Sequence, residues 1–417
     1  MRPSGLLKRL FMTVLRIRVW FGWLCLSWLV AAQASENSRA EAVDYPIADY
    51  TAQVGLDGWQ FSSGKPERLL MMSTNTQWHY NPVSPWGTLN GRLMLSPKAT
   101  LSLKARSNQA MGSRVDEFSA DWAVSPKFGL KVGVVDYKTS WCRTYDIDSP
   151  WVRENDPFCT VVSTSGPSGG APGVQAYVNI PVGGYRVQGI AGVYNPLLMN
   201  YDTHEFSNIN YAFYTVEKNK KQGASLSVLN LETATEFRLG LLGAQESARA
   251  SEAWYRESFR IEQTYGVVFA GLSFYVTPKL NVRLQTLRHM AENKHVSDPG
   301  STRPHIWRGI NLKRTSNVME LNYQMSAQDM FALAVSGYDF GTSWIETNAP
   351  FPGYTYRPDY AQYHQRAMSV AWRREWSRGV FTAMQVTRSR FTRQDSYLGI
   401  DRAASADGLG LRIGYQF

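Results

Sequence analysis

The residues best equipped for chemistry crowd into one stretch of this chain, 139–172. Gly166-Pro167-Ser168-Gly169-Gly170 fits the G-x-S-x-G pattern that presents a serine nucleophile. That pattern works only on a strand–turn–helix elbow. Here it lies among Ser, Gly and Pro with no helical periodicity after it, so it reads as flexible loop. The six histidines (His79, His204, His289, His295, His305 and His364) show no metal-ligand spacing and no acid at a fixed offset. No catalytic, metal-binding or cofactor-binding set is therefore expected. The same stretch carries Arg143, Asp146, Asp148, Arg153, Glu154 and Asp156. Charges of both signs at a narrow passage set up a transverse field that orders water and sorts dipolar solutes. The alternative is a solvated surface loop with ordinary charges.

What compartment these residues meet is set by the other end of the chain. Arg2, Lys8, Arg9, Arg16 and Arg18 precede a short apolar run, 19–32, and Ala32-Gln33-Ala34 fits a small-x-small cleavage site. This is the pattern of a cleaved signal peptide, 1–34, too short for a spanning helix. Cys25 follows Leu24, where a lipid-anchored protein wants a small residue, so Cys25 leaves with the signal. The mature chain is then 417 − 34 = 383 residues, and its formal net charge falls from +10 to +5 because all five lost charges are basic. The remaining basicity forms no run interleaved with aromatics, so no nucleic acid is expected as partner. In an exported, oxidising compartment the two mature cysteines, Cys142 and Cys159, are expected to form a disulfide. Closing that 17-residue span contributes about 3 kcal/mol on the chain-entropy model.

The elements that must hold this loop are strands. Aromatic residues make up 13% of the chain and charged ones only 19%. No mature segment is apolar for long enough to be a transmembrane helix. In the final ten residues Leu409, Leu411, Ile413, Tyr415 and Phe417 alternate with Gly410, Arg412, Gly414 and Gln416. A period of two gives one oily and one polar face, and ten residues match a tilted strand crossing a bilayer. Three near-identical segments, Ser96-Pro97-Lys98, Ser125-Pro126-Lys127 and Thr277-Pro278-Lys279, sit between alternating runs and read as tight turns. Pro181-Val182-Gly183-Gly184, Ser326-Ala327-Gln328-Asp329 and Ser377-Arg378-Gly379 do the same. Long polar connections are expected at 139–172, 195–205, 290–306 and 340–360.

Short turns at one end and long loops at the other define an all-β, transmembrane, antiparallel up-and-down β-barrel over 51–417, preceded by a short periplasmic segment, 35–50. Sixteen strands are expected, with fourteen and eighteen open, since descending strands end near 95, 124, 180, 216, 275, 325, 376 and 417. The weak regions are 51–80, where Leu69 to His79 competes for the first strand, and 217–260, where Phe237, Leu239 and Leu241 form an orphan alternating piece. A barrel of this width encloses water rather than a packed core. With the oily positions facing lipid, the inward basic residues are Arg92, Lys104, Arg106, Lys131, Arg186, Arg238, Arg283, Arg373 and Arg412. The inward acids are Glu117, Asp121 and Glu320. Nine basic against three acidic residues predicts a positive wall and a mild preference for anions. Trp59, Trp78, Trp86, Trp122, Trp372 and Trp376 are expected at the membrane interfaces.

The closing segment resembles the last strand of Gram-negative outer-membrane barrels, where a terminal aromatic residue such as Phe417 is the signal read by the barrel-assembly machinery. The fifth expected strand, Phe128-Gly129-Leu130-Lys131-Val132-Gly133, is followed by the long loop 139–172, and Ser149-Pro150-Trp151-Val152-Arg153 lies within it. In that order the chain resembles the general porin superfamily. The resemblance implies that this loop folds into the barrel and narrows it. It also implies passive diffusion of small hydrophilic solutes and ions, a homotrimer, and contact with outer-membrane lipid and lipopolysaccharide. No lysine-rich stretch of the phosphate-specific kind is present. A structural or assembly barrel, or a lipase-like barrel enzyme, is the alternative.

Overall fold

The computed structural model describes residues 45–61, 83–108, 112–135, 151–152, 171–194, 211–252, 258–297, 306–345, 359–376, 379–395 and 400–417. They form sixteen antiparallel strands that close into one barrel, each strand paired with its neighbours in sequence and the first with the last. The strands are β1 (Ile47–Phe61), β2 (Val83–Ser96), β3 (Ala99–Asn108), β4 (Gly112–Ala123), β5 (Phe128–Val135), β6 (Ala171–Val182), β7 (Tyr185–Tyr194) and β8 (Tyr211–Asn230). The second half comprises β9 (Glu236–Glu252), β10 (Ser258–Thr277), β11 (Leu280–Ser297), β12 (Ile306–Gln324), β13 (Asp329–Ile345), β14 (Asp359–Glu375), β15 (Val380–Asp395) and β16 (Ile400–Gln416).

The recurring turn chemistry has a local cause. Ser96 Oγ accepts the backbone N–H groups of Lys98 and Ala99 at 3.3 and 3.1 Å. Ser125 does the same for Lys127 and Phe128, and Thr277 for Lys279 and Leu280. Ser326 repeats the arrangement without a proline. A hydroxyl three residues ahead of the returning strand satisfies donors that the ladder leaves open.

One expected turn is absent. No strand ends near 216; β8 runs through Lys218, Asn219, Lys220 and Lys221 to Asn230. The reversal comes at Leu231–Thr235, where Asn230 Oδ1 accepts the N–H groups of Glu232 and Thr233 and Ala234 takes a positive φ of 52°. The orphan piece at Phe237 is simply the start of β9. Two expected loops are also shorter, because β11 runs to Ser297 and β13 to Ile345. All three differences share a reason. The loop-end portions of the long strands stand beyond the apolar band, so they keep the ladder while losing the oily alternation that marks strands in sequence. The 69–79 segment lies outside the described residues.

The two faces sort as a membrane demands. Val335, Met368, Val370, Met384, Val386, Leu409, Leu411 and Ile413 point outward and are exposed. Further toward the loop end, the same outward rows turn charged, with Arg366 paired to Asp339 at 3.0 Å and Arg388 to Asp407 at 3.7 Å. A charge at the bilayer midplane would cost about 2–4 kcal/mol, so these pairs mark the upper edge of the band. The rim is uneven: β5 has 8 residues and β8 has 20.

The seam is closed by nine register pairs from Gln53↔Gln416 to Phe61↔Gly408. Phe417 adds its N–H to Ala52 O at 2.9 Å and sets its ring edge-on to Tyr415. Trp86 is not interfacial, contrary to expectation. It pairs in register with Gly55, turns inward and is buried. Gly55 makes this possible, because a Cβ there would stand 2.8 Å from the Trp86 ring and 2.3 Å from Ile413 O. Gly414 likewise leaves room for Phe381, whose ring would be 2.4 Å from an added Cβ. Trp122 and Trp376 do lie exposed beside the short turns. The side chain of Trp59 and all of Trp78 lie outside the described residues. Gly55→Ala is expected to destabilise the barrel by about 1–3 kcal/mol through overpacking. A lowered temperature of conversion from the folded, fast-migrating band in unboiled SDS gels would show it.

Candidate functional site

The inner wall carries polar side chains, and register sets charged residues of neighbouring strands opposite one another. Lys104 stands opposite Glu117, Asp121 opposite Lys131, and Arg283 opposite Glu320. Arg92 faces Asp49, Arg186 faces Pro181, Arg238 faces Gly271, and Arg373 faces Ala383 on the same inward side. Arg106 pairs with Asp116 at 2.8 Å beside a register shift between β3 and β4.

Most of these cations have acidic partners. Glu117 is a hub: its carboxylate lies 3.4 Å from Lys104 Nζ and 2.7 Å from Lys131 Nζ, and accepts Ser119 O–H at 3.0 Å. Arg238 contacts Glu236 at 2.6 Å and Arg373 contacts Glu375 at 3.2 Å. Arg283 and Glu320 are looser at 3.9 Å. Asp121 accepts the Tyr177 hydroxyl at 2.6 Å. Asp57, Asp116, Glu236 and Glu375 were not among the expected inward acids. Glu236 and Glu375 stand two residues from an inward cation, Asp57 stands across the seam from one, and Asp116 sits at the β3–β4 register shift beside Arg106; the Gln53–Gly55–Asp57 alternation of β1 was the readable signal for Asp57. The wall is a set of ion pairs rather than a uniformly positive surface.

One feature breaks the pattern of side chains lining a wall. Trp151 and Val152 belong to the segment between β5 and β6, yet they contact the inner faces of β12, β15 and β16. Trp151 Nε1 donates to Glu320 at 3.1 Å, and Val152 N–H donates to Gln385 Oε1 at 3.0 Å. Arg412 donates to Trp151 O at 3.0 Å and, through its other terminal nitrogen, to Val152 O. Arg412 is itself gripped by Asp57, with Nε at 2.7 Å and the second nitrogen at 2.9 Å, across the β16–β1 register pair. Its guanidinium lies over the Trp86 ring at 4.8 Å, and that ring is 6.2 Å from Phe381, over which Arg373 is stacked at 4.2 Å.

Val152 is fully buried, and the Arg412 and Asp57 side chains are only 2% and 3% exposed. Such a site is demanding. A buried charge pair is stabilising only when geometry is good and the remaining donors are used. Here a fork-on-fork pair uses two donors, and the loop main chain takes two more. The contacts fall within the apolar band, since Arg412 is opposite Ala383 and lies between outward Leu411 and Ile413. Arg143, Asp146, Asp148, Arg153, Glu154 and Asp156 lie outside the described residues, as do Cys142 and Cys159 and the Gly166–Gly170 pattern. Among the described residues no group of His, Cys, Asp or Glu has the spacing of a metal site.

No protein-family model matches the chain, and no curated protein does. Solved structures match it in fold. The outer membrane channel DcaP of Acinetobacter baumannii superposes with a TM-score of 0.52 at 10% identity, over 89% of this chain and 97% of that one. An anion-selective porin from Comamonas acidovorans gives a TM-score of 0.45 at 11% identity, over 89% of this chain and all of that one. A loop-deleted OmpT, an outer membrane protein of Vibrio cholerae, gives 0.45 at 7% identity over 90% and 100%. In fold the chain is thus similar to the DcaP outer membrane channel, its own sixteen strands closed into one antiparallel barrel.

Proposed function

We propose that this chain forms a water-filled channel in the outer membrane for passive diffusion of small hydrophilic solutes and ions, narrowed by loop 139–172. The observation that carries the reading is the pair Trp151–Val152, which starts from the β5–β6 side and is bound to the opposite inner wall by Arg412, Gln385 and Glu320. A loop so anchored crosses the water path. Charged residues along that loop (Arg143, Asp146, Asp148, Arg153, Glu154 and Asp156) would then stand at the narrowest section, where a field acts most strongly on a passing solute. A Cys142–Cys159 disulfide would stiffen it, and mass spectrometry without reductant should show the oxidised pair.

Purified protein in planar bilayers is expected to give discrete, stable conductance steps, and shortening 139–172 should enlarge them because the narrowest section dominates resistance. Silence in bilayers from correctly folded protein would favour an assembly role or a barrel enzyme instead. A mild anion preference follows from Arg92 and Arg186, to which no described carboxylate is ion-paired, set against paired cations elsewhere. In a salt gradient the reversal potential should report it and fade as the screening length falls from about 30 Å at 0.01 M to 3 Å at 1 M. Neutralising Arg92, Lys104 and Arg106 together should move the preference toward cations; cation preference in the unmodified channel would overturn the wall-dominated view and point to the loop acids. Assembly through Phe417, contact with lipopolysaccharide and a homotrimeric state belong to the same reading.

A further inference from the structure

On the outer face of β10–β14 one register row is made mostly of small side chains. Ala270 pairs with Thr286, Thr286 with Asn317, Asn317 with Gly337, and Gly337 with Arg366. The next outward row toward the short turns, Leu272, Leu284, Met319, Val335 and Met368, is bulky. The small row is therefore a trough, of about 770 Å³, beside a ridge. It crosses four strand spacings, about 19 Å. Thr286 Oγ1 donates to Asn317 Oδ1 at 2.7 Å, so the two polar side chains of its floor satisfy each other. Barrel strands tilt, so a row across them slopes through the membrane. At Ala270 the outward neighbours along β10 are Val268 and Leu272, both apolar, whereas at Arg366 they are His364 and Met368. The trough thus rises from the apolar band at β10 to its charged upper edge at β14. Arg366 closes the upper end, since a Cβ on Gly337 would stand 2.9 Å from Arg366 Nη1.

Beyond Arg366 the same row continues to Arg390 on β15, and Arg388 stands two residues nearer the short turns, opposite Met368. All three arginines point outward and are exposed. Like charges directly opposite on adjacent strands repel, and the acids at this level do not offset them. Asp339 is shared between Arg366 at 3.0 Å and His364 at 2.7 Å, and Asp407 lies 3.7 Å from Arg388. Arg390 is ion-paired to no carboxylate among the described residues. The outward Asp401 is no partner at this level, because it pairs in register with Gln394, four residues beyond Arg390. We propose that this face binds a phosphate-bearing lipid of the outer leaflet, its phosphate on Arg366, Arg388 and Arg390 and one acyl chain along the trough. Guanidinium forks match phosphate oxygens, and a phosphate between Arg366 and Arg390 removes their repulsion. The apolar trough descending from the arginines selects a lipid over a free phosphate ion. The inference rests on the outer-membrane placement and deepens the lipopolysaccharide contact given above; the water path plays no part in it.

Diphosphorylated lipid A is the probe. Native mass spectrometry of the detergent-solubilised full chain is expected to show saturable adducts, with fully dephosphorylated lipid A weaker by about tenfold or more. The triple variant Arg366→Gln/Arg388→Gln/Arg390→Gln should weaken lipid A by about a hundredfold, at about fivefold per arginine. Gly337→Leu fills the trough and should weaken it by about tenfold, the loss of roughly two buried methylenes. Conductance steps should stay unaltered in both variants. If the triple variant fails to fold, Arg390→Gln alone serves in its place, with about a fivefold loss expected. Unchanged lipid A binding in the folded arginine variants, or equal binding of the dephosphorylated lipid, overturns the site. Displacement of lipid A by inorganic phosphate at equal concentration overturns the lipid as its occupant. So does a Gly337→Leu chain that loses its oligomeric state and keeps its lipid, which would make the trough an interface between copies. Lipid A binding by a chain that gives no conductance steps overturns the channel reading and leaves the site standing.

Discussion

Replacing Arg412 by alanine is expected to increase single-channel conductance and to destabilise the barrel at once. The guanidinium supplies both donors to the loop carbonyls of Trp151 and Val152, and both contacts to Asp57. Without it the loop keeps Val152 N–H on Gln385 and Trp151 Nε1 on Glu320, two contacts that end on flexible side chains. The loop should leave the wall for part of the time, and current records should show a larger and noisier open level. Asp57 is left buried and unpaired, a loss of about 3–5 kcal/mol. The stability loss should show as an earlier transition in urea. The double variant Asp57→Asn/Arg412→Gln removes the stranded charge and should recover much of the stability without restoring the carbonyl contacts. Conductance that stays high while stability recovers separates the two roles of Arg412. An unchanged open level in a folded Arg412→Ala barrel would show that Trp151–Val152 do not limit the current.

The second large effect is expected at Glu117. This carboxylate is buried between Lys104 and Lys131 and holds Ser119 as well. Glu117→Gln keeps the shape and removes the charge, leaving two ammonium groups facing each other across the wall of β3–β5. Lys131 is the more enclosed, at 18% side-chain exposure against 36% for Lys104, so its repulsion is the less screened. In a low-salt gradient the reversal potential should move clearly toward anions, and the shift should shrink in molar salt as the screening length drops to about 3 Å. Folding should weaken modestly, since the lysines can turn toward water. A reversal potential that does not move would mean that this level of the wall lies outside the path of the ions.

Much of the architecture could be read from the chain because a membrane barrel writes its faces directly into sequence. Leu409, Leu411, Ile413 and Tyr415 alternate with Gly410, Arg412 and Gly414, and in the structure the first set is exposed outward while Arg412 is buried inward. The hydroxyl-led turns at Ser96, Ser125, Thr277 and Ser326 were visible for the same local reason: a side chain bonds its own backbone two and three residues on. The β8–β9 turn was misplaced because Lys218 to Lys221 lie where the strand has left the apolar band, and polarity there signals water and not a reversal.

Sequence by itself determined the barrel and the two faces of its strands, because alternation is a period-two property of each strand alone. It could not determine pairing across the wall. Glu117 joining Lys104 to Lys131, and Asp57 meeting Arg412 at the seam, depend on register between different strands, and the second pair joins residues from the two ends of the chain. Trp86 shows the same limit. Its place near a strand end suggested an interface, but the bare face of Gly55 on the next strand turned it into the lumen. Where Trp151 and Val152 come to rest was decided only by the tertiary structure, since a loop has no periodicity to aim it. Its landing point is the place where a buried arginine, already neutralised by an aspartate, still has donors to give.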